Sequence, residues 1–286
     1  MATKPNFDET KGREFTQKVI GDLSGAMATL MCILGDRLNL FKELAANGPA
    51  TSEELATRAQ IDERYAREWL HAMVYAGYLE YESNDGRFTL PPEHAPVVAQ
   101  EGGRVFLGGL YQFLPAMLGQ LDEVTKAFRQ GGGVSQAEYG PSFWEGLERY
   151  SASAFENLML QRWIPAVPEV KAKLEAGVSV ADIGCGAGRA LIKLAQEFPN
   201  SNFVGYDIYA PSIATATARA KAANVEGRVR FERQDISSSL PQHYDIITTF
   251  DVVHDAADPR GLLRSIRNGL REDGAYLIVD VVAADK

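Results

Sequence analysis

The chain of 286 residues holds only two cysteines and four histidines. Cys32 and Cys185 alone cannot build a disulfide scaffold and suit a reducing, cytoplasmic setting, and no His/Cys cluster has metal-ligand spacing. Basic residues are outnumbered, 29 against 38 acidic ones, for a net charge of −9, a poor match to nucleic-acid phosphates. Long apolar runs are lacking too. The uncharged stretch from Leu23 to Gly35 has 13 residues, short of the roughly 20 that cross a bilayer. Asp8, Glu9, Glu14 and Asp22 precede it where a secretory signal would be basic. We read it as a buried helix at a domain or subunit interface, not a membrane segment.

What is present in strength is glycine after an apolar strand. Residues 180–190 read Val-Ala-Asp-Ile-Gly-Cys-Gly-Ala-Gly-Arg-Ala, with Gly184, Gly186 and Gly188 at alternate positions before a helix over Ala187–Phe198. Glycine lets a ligand approach the backbone and permits positive φ. The dinucleotide fingerprint wants its third glycine where this chain has Arg189, so a nicotinamide oxidoreductase is the weaker reading. Three further strand-like runs end in acids: Asn202–Asp207, Val229–Asp235 (followed by Ile236) and Tyr244–Asp251. Any one of these acids alone can be a helix cap or turn residue. Together they fall where open α/β sheets bind ligands, beyond the carboxyl ends of strands.

Helices separate these runs. Leu191, Ile192, Leu194 and Ala195 form one stripe, and Pro211 opens an alanine-rich helix to about Asn224. Asp258-Pro259 starts another helix, carrying Leu262, Leu263, Ile266 and Leu270, that Gly274 is expected to stop. Strand–helix alternation implies an α/β fold with a parallel, doubly wound, Rossmann-like sheet.

Upstream, Thr51 to Glu54 forms a capping box, and a helix from Asp62 is expected to place Tyr65, Trp69, Leu70, Met73 and Val74 on one face. The Asp85-Gly86 step then predicts a hairpin between Tyr78–Glu82 and Arg87–Leu90. Helix, helix, hairpin is a winged helix. Thr51–His94 contains nine acids and four Arg or Lys, so packing and dimerisation are expected of it rather than DNA reading. The expected organisation is a winged-helix, dimerisation-like domain over 1–97, a helical connector and lid over 98–170, and a sheet domain over 171–286. The connector is aromatic-rich, with Phe106, Tyr150 and Phe155 expected in the core and Gly131–Gly133 as a hinge or loop.

The run Asp182-x-Gly184-x-Gly186-x-Gly188 resembles the first motif of class I S-adenosylmethionine (SAM) methyltransferases. With Gly48–Ala56, Asp62–Leu70 and Gly86–Ala95, the chain is similar to a bacterial-type branch with an N-terminal winged helix, laid out like small-molecule O-methyltransferases that dimerise through this region. The resemblance implies a homodimer and a SAM site of Asp182, Gly184, Cys185, Gly186, Gly188, Asp207, Ile208, Asp235, Ile236, Phe250 and Asp251. In it Asp207 takes the ribose and Asp235 the adenine amino group, and S-adenosylhomocysteine is the product. His254-Asp255 resembles the catalytic His-Asp of plant-type O-methyltransferases; His254 is either a general base or a structural hydrogen-bonding group. Tyr139 and Trp144 are expected to help close the methyl-transfer pocket over a small hydroxylated or amine-bearing substrate. Relative to the family, the chain stops after the fifth strand, Gly274–Val282, leaving strands 1–5 of an incomplete sheet and an edge prone to association. A SAM-binding regulator without turnover is the alternative reading.

Overall fold

The computed structural model describes residues 7–282 and divides the chain into two compact units, residues 1–150 and 151–286. The stretch 98–170, set apart by sequence as a connector, is shared between them.

The first unit runs α1 (Glu9–Arg37), α2 (Leu40–Asn47), α3 (Ser52–Ala59), α4 (Glu63–Tyr75), β1 (Glu80–Glu82), β2 (Arg87–Thr89), α5 (Ala95–Val98), α6 (Gly108–Leu118) and α7 (Leu121–Gln130). A 3-10 turn (Gln136–Tyr139) then leads into α8 (Gly140–Ala154). The capping box forms as expected: the Thr51 hydroxyl accepts from the Glu54 amide and the Glu54 carboxylate from the Thr51 amide. Asp62 caps α4 through the Arg64 amide. Leu40, Phe41, Leu44, Leu55, Trp69, Leu70, Met73 and Phe88 make the core, where Phe41 meets Trp69 edge-on at 5.0 Å and the indole N–H donates to the Met31 carbonyl. Tyr65 leaves the predicted face and is 74% exposed. The buried stripe of α4 runs through Ala66, Trp69, Leu70 and Met73, and Tyr65 falls at its edge. Tyr150, expected in the core, is exposed as well, whereas Phe106 is buried.

Helix α1 is longer than the uncharged stretch suggested. It spans 29 residues and is, by length and composition, apolar enough to cross a membrane. Its last turns pack into the core through Cys32, Ile33 and Gly35, while Phe15, Val19, Leu23, Met27, Leu30 and Leu34 are exposed within the chain.

The second unit opens with a π-helical segment (Phe155–Trp163), then α9 (Pro168–Ala176), β3 (Ser179–Ile183), α10 (Arg189–Glu197), β4 (Asn202–Asp207), α11 (Ala210–Ala222), β5 (Val229–Arg233), β6 (Tyr244–Phe250), a 3-10 turn (Val253–Asp255), α12 (Pro259–Gly269) and β7 (Leu270–Val279). All five strands are parallel, in the order β5-β4-β3-β6-β7. Alternate β3 residues face opposite layers: Val180 packs with Leu191, Leu194, Phe203 and Ile246, and Ala181 and Ile183 pack with Val204, Ile247, Leu262 and Ile266. Burial on both faces is what a parallel sheet between helices requires. The order reverses at β3, so the crevice of the sheet opens at the carboxyl ends of β3, β4 and β6.

One boundary differs from the sequence reading. Helix α12 ends at Gly269, and Gly274 lies inside β7. Leu270 does not extend the apolar stripe but pairs with Tyr244 ahead of a register shift in the β6–β7 ladder.

Candidate active site

The bend after β3 is built from backbone. Gly184, Gly186 and Gly188 have φ of +70°, +53° and +77°, conformations that side-chain-bearing residues adopt at a cost. The amides of Gly184 and Cys185 both donate to the Tyr206 carbonyl of β4, at 2.8 and 3.0 Å. A Cβ on Gly188 would stand 2.4 Å from Phe231 and 2.8 Å from Ala216, so the third glycine closes α10 against its neighbours. A Cβ on Gly186 would meet nothing within 4 Å. The bend thus seals one side and leaves the other open to a ligand.

Two carboxylates lie under it. Asp207, at the end of β4, accepts from the Gly186 amide at 2.9 Å and the Tyr209 amide at 2.8 Å. Asp182, in β3, is only 2% exposed, and one of its oxygens accepts from the Thr248 hydroxyl of β6 at 2.6 Å. Its second oxygen has no hydrogen-bond donor among the described residues. Burial pushes the Asp182 carboxyl up to about 7, with the Thr248 hydroxyl opposing and the Asp207 charge adding to the rise. Cys185 is buried behind the bend with its thiol pushed up, first by desolvation and then by the charges of Asp182 and Asp207.

Of the remaining predicted cofactor residues, Ile236 is buried, while Ile208 is half exposed. Asp235 lies two residues past the end of β5 and accepts from the Ser237 amide, which holds its carboxyl below the usual range. Phe250 ends β6 under two aromatic rings of the π-helical segment, Phe155 edge-on at 5.3 Å and Trp163 stacked at 6.0 Å. Asp251 follows with φ +54°, its amide donating to the Val279 carbonyl. Burial raises its carboxyl, and the Asp280 charge adds to this.

The loop after β6 returns to the bend: a Cβ on Gly184 would stand 2.6 Å from Val252. Two residues on, His254 Nδ1 lies 2.5 Å from Asp280 Oδ1, and the other Asp280 oxygen accepts from the Val253 amide at 3.1 Å. An ionised carboxylate only accepts, so Nδ1 carries the proton and Nε2 of the neutral ring is left as the acceptor. The Asp255 carboxylate is 3.5 Å from Nε2. Partial burial pulls the imidazole pKa down, but the Asp280 hydrogen bond and the charges of Asp255, Asp280 and Asp251 outweigh it and the net shift is upward. Sequence reasoning missed Asp280. Its signal was an acid at a fifth strand tip, the pattern already used for Asp207 and Asp251. Tyr139 and Trp144 belong to the first unit, in the 3-10 turn and α8.

Known proteins carry the same two parts. A family described as "Methyltransferase domain" matches residues 174–286, and "Rv2258c-like winged HTH domain" matches 26–100. The chain carries a methyltransferase domain behind a winged-helix domain. This methyltransferase is 27% identical over 256 residues to the N,N-dimethyltransferase OxyT of Streptomyces rimosus, covering 86% of this chain and 72% of OxyT. It is 30% identical over 105 residues to the polyketide synthase ThaQ of Burkholderia thailandensis, 36% of this chain and 5% of ThaQ. Among solved structures, the mitomycin 7-O-methyltransferase MmcR superposes with a TM-score of 0.73 at 20% identity, over 97% of this chain and 83% of MmcR. Solved neighbours at 16–21% identity hold S-adenosylhomocysteine or SAM, and the residues of this site are compatible with such a ligand. The open face at Gly186 admits a ligand, Asp207 offers a carboxylate fixed by two amides, and a buried acid stands ready for a cationic group.

Proposed function

We propose that this methyltransferase transfers a methyl group to the hydroxyl of a small molecule, with His254 taking the proton. The observation that carries this is the 2.5 Å contact between His254 Nδ1 and Asp280 Oδ1, on a loop packed against the glycine bend through Val252. When bound, SAM supplies a methyl group already activated on a sulfonium. The chain then has to align the acceptor oxygen with the carbon–sulfur bond, exclude water and accept one proton. His254 Nε2 is the acceptor for that proton, and Asp280 fixes the ring and favours its charged form. Asp207, Asp235 and Ile236 hold the adenosine portion, with Ile208, Phe250 and Asp251 beside it.

The N-terminal domain serves as a homodimer contact. The exposed apolar face of α1 supports this, because a self-complementary helix face is the simplest two-fold interface. Arg87, the basic residue of the wing hairpin, is engaged bidentately by Glu54 at 2.7 and 2.8 Å, which argues against a role on nucleic acid. Two buried thiols fit a cytoplasmic protein.

The test is S-adenosylhomocysteine release across paired hydroxyl and amine acceptors. Turnover of hydroxyl compounds that falls on the order of 10²–10⁴-fold in His254→Ala supports the proposal. Turnover confined to amines, in keeping with the printed name of OxyT, would replace O- by N-methylation. Tight SAM binding with no acceptor turned over would favour a regulatory protein.

A further inference from the structure

Asp182 differs from Asp207, Asp235 and Asp280 in what surrounds it. Asp207 has two amide donors, Asp280 has two amides and an imidazole, and Asp235 has an amide. Asp182 sits in the central strand, 2% exposed, with one hydroxyl donor. The titratable groups that act on it are Asp207, across the β3–β4 pair, and the Cys185 thiol in the bend. Both are acids, and from β6 it receives only the neutral Thr248 hydroxyl. No cation on any of these elements compensates it. Burial and the neighbouring acid favour its neutral form, and an arriving positive charge would favour the ionised one.

We propose that Asp182 is a charge-matching residue: it is protonated in the cofactor-free protein, releases its proton when the cationic SAM binds, and recovers one when the cofactor has become the uncharged thioether. The residue thereby discriminates between SAM and S-adenosylhomocysteine, favouring capture of the first and departure of the second. This rests on the reading that the cofactor occupies the bend. A ligand stabilises only the protonation state with which it interacts more favourably. The sulfonium is the charge that the two ligands do not share, and both carry the same adenosine and amino-acid groups. The carboxyl, held near 7 in the free protein by burial, places the exchange within the range of ordinary measurements.

Isothermal titration calorimetry of the full chain with SAM and with S-adenosylhomocysteine, in buffers of different ionisation enthalpy from about pH 5.5 to 8.5, counts the protons released. SAM is expected to release a substantial fraction of one proton at about pH 6 more than S-adenosylhomocysteine does, the difference vanishing by about pH 8.5. Over the same interval SAM affinity should rise several-fold relative to that of S-adenosylhomocysteine. Asp182→Asn should abolish the difference in proton count. Thr248→Val removes the one donor to the ionised form and should move the release to higher pH, which keeps the proposal testable if the first variant folds poorly. Equal proton counts for the two ligands in the unmodified chain would overturn it, as would a difference that survives Asp182→Asn. Asp207→Ala separates the underlying reading: if SAM binds that variant as tightly as the parent, the cofactor lies elsewhere. If binding is lost there while the parent shows equal proton counts, only the role of Asp182 fails.

Discussion

Asp280, just past the end of β7, holds His254 in the turn that follows β6: one carboxylate oxygen meets Nδ1 at 2.5 Å and the other accepts from the Val253 amide at 3.1 Å. The ring and the backbone that carries it are therefore positioned by the same group. Asp280→Asn should cost turnover on the order of 10²-fold while leaving SAM affinity nearly unchanged. The carboxylate helps raise the imidazole pKa, so in Asp280→Asn the acid limb of the kcat/KM profile should move to lower pH even as the maximum falls. An unmoved limb would show that His254 does not titrate in the reaction.

The buried Asp182 makes a prediction about the ligand-free fold. Its carboxyl is raised to about 7, first by burial, above the ordinary value near 4 of an unfolded chain. The unfolded state therefore ionises first, and stability present below about pH 4 is lost as pH rises through about 7. Asp182→Asn should stabilise the ligand-free protein at pH 8 by about 2–4 kcal/mol relative to the parent and have little effect at pH 4. Thermal melts across that range check the sign.

The three glycines of the bend should respond differently to alanine. Gly188→Ala drives a Cβ to 2.4 Å from Phe231 at φ +77° and should destabilise the fold by at least about 2 kcal/mol. Gly186→Ala has open space around its Cβ, so it should cost about 1–2 kcal/mol of backbone strain and show its main effect as weaker SAM binding. Denaturant titration and calorimetry on the pair separate packing from ligand approach.

A charge placed on the exposed face of α1 tests the dimer. Leu23→Glu and Met27→Glu lie on the exposed face of the helix, 60% and 57% exposed, so each should convert a dimer into a monomer in sedimentation without altering the circular dichroism of the fold. Parent protein that sediments as a monomer would remove the proposed role of this face.

The architecture was legible because its signals are local. The capping box at Thr51 and Glu54, the Asp85-Gly86 turn and the alternation of strand and helix after Val180 each depend on neighbours a few residues away, and each formed where expected. What escaped was set at longer range. Nothing near Asp280 announces that it will meet a histidine 26 positions earlier, because adjacency of β6 and β7 is a property of the sheet. Tyr65 matched the apolar spacing of α4 yet faces outward, since the buried stripe is centred on Ala66, Trp69, Leu70 and Met73 and spacing alone does not say which edge of an apolar face meets solvent. Gly274 read as a helix stop for a related reason: the helix had already ended at Gly269, and the strand began without a turn signal.

The stacking of Trp163 on Phe250 has a practical consequence. The indole lies parallel to a ring that immediately precedes Asp251, at 6.0 Å between centroids, whereas Trp69 is sealed in the helical unit at 3% exposure. Emission from Trp163, isolated by replacing Trp69 and Trp144 with phenylalanine, would be an optical reporter poised at the strand tip that leads to the histidine loop.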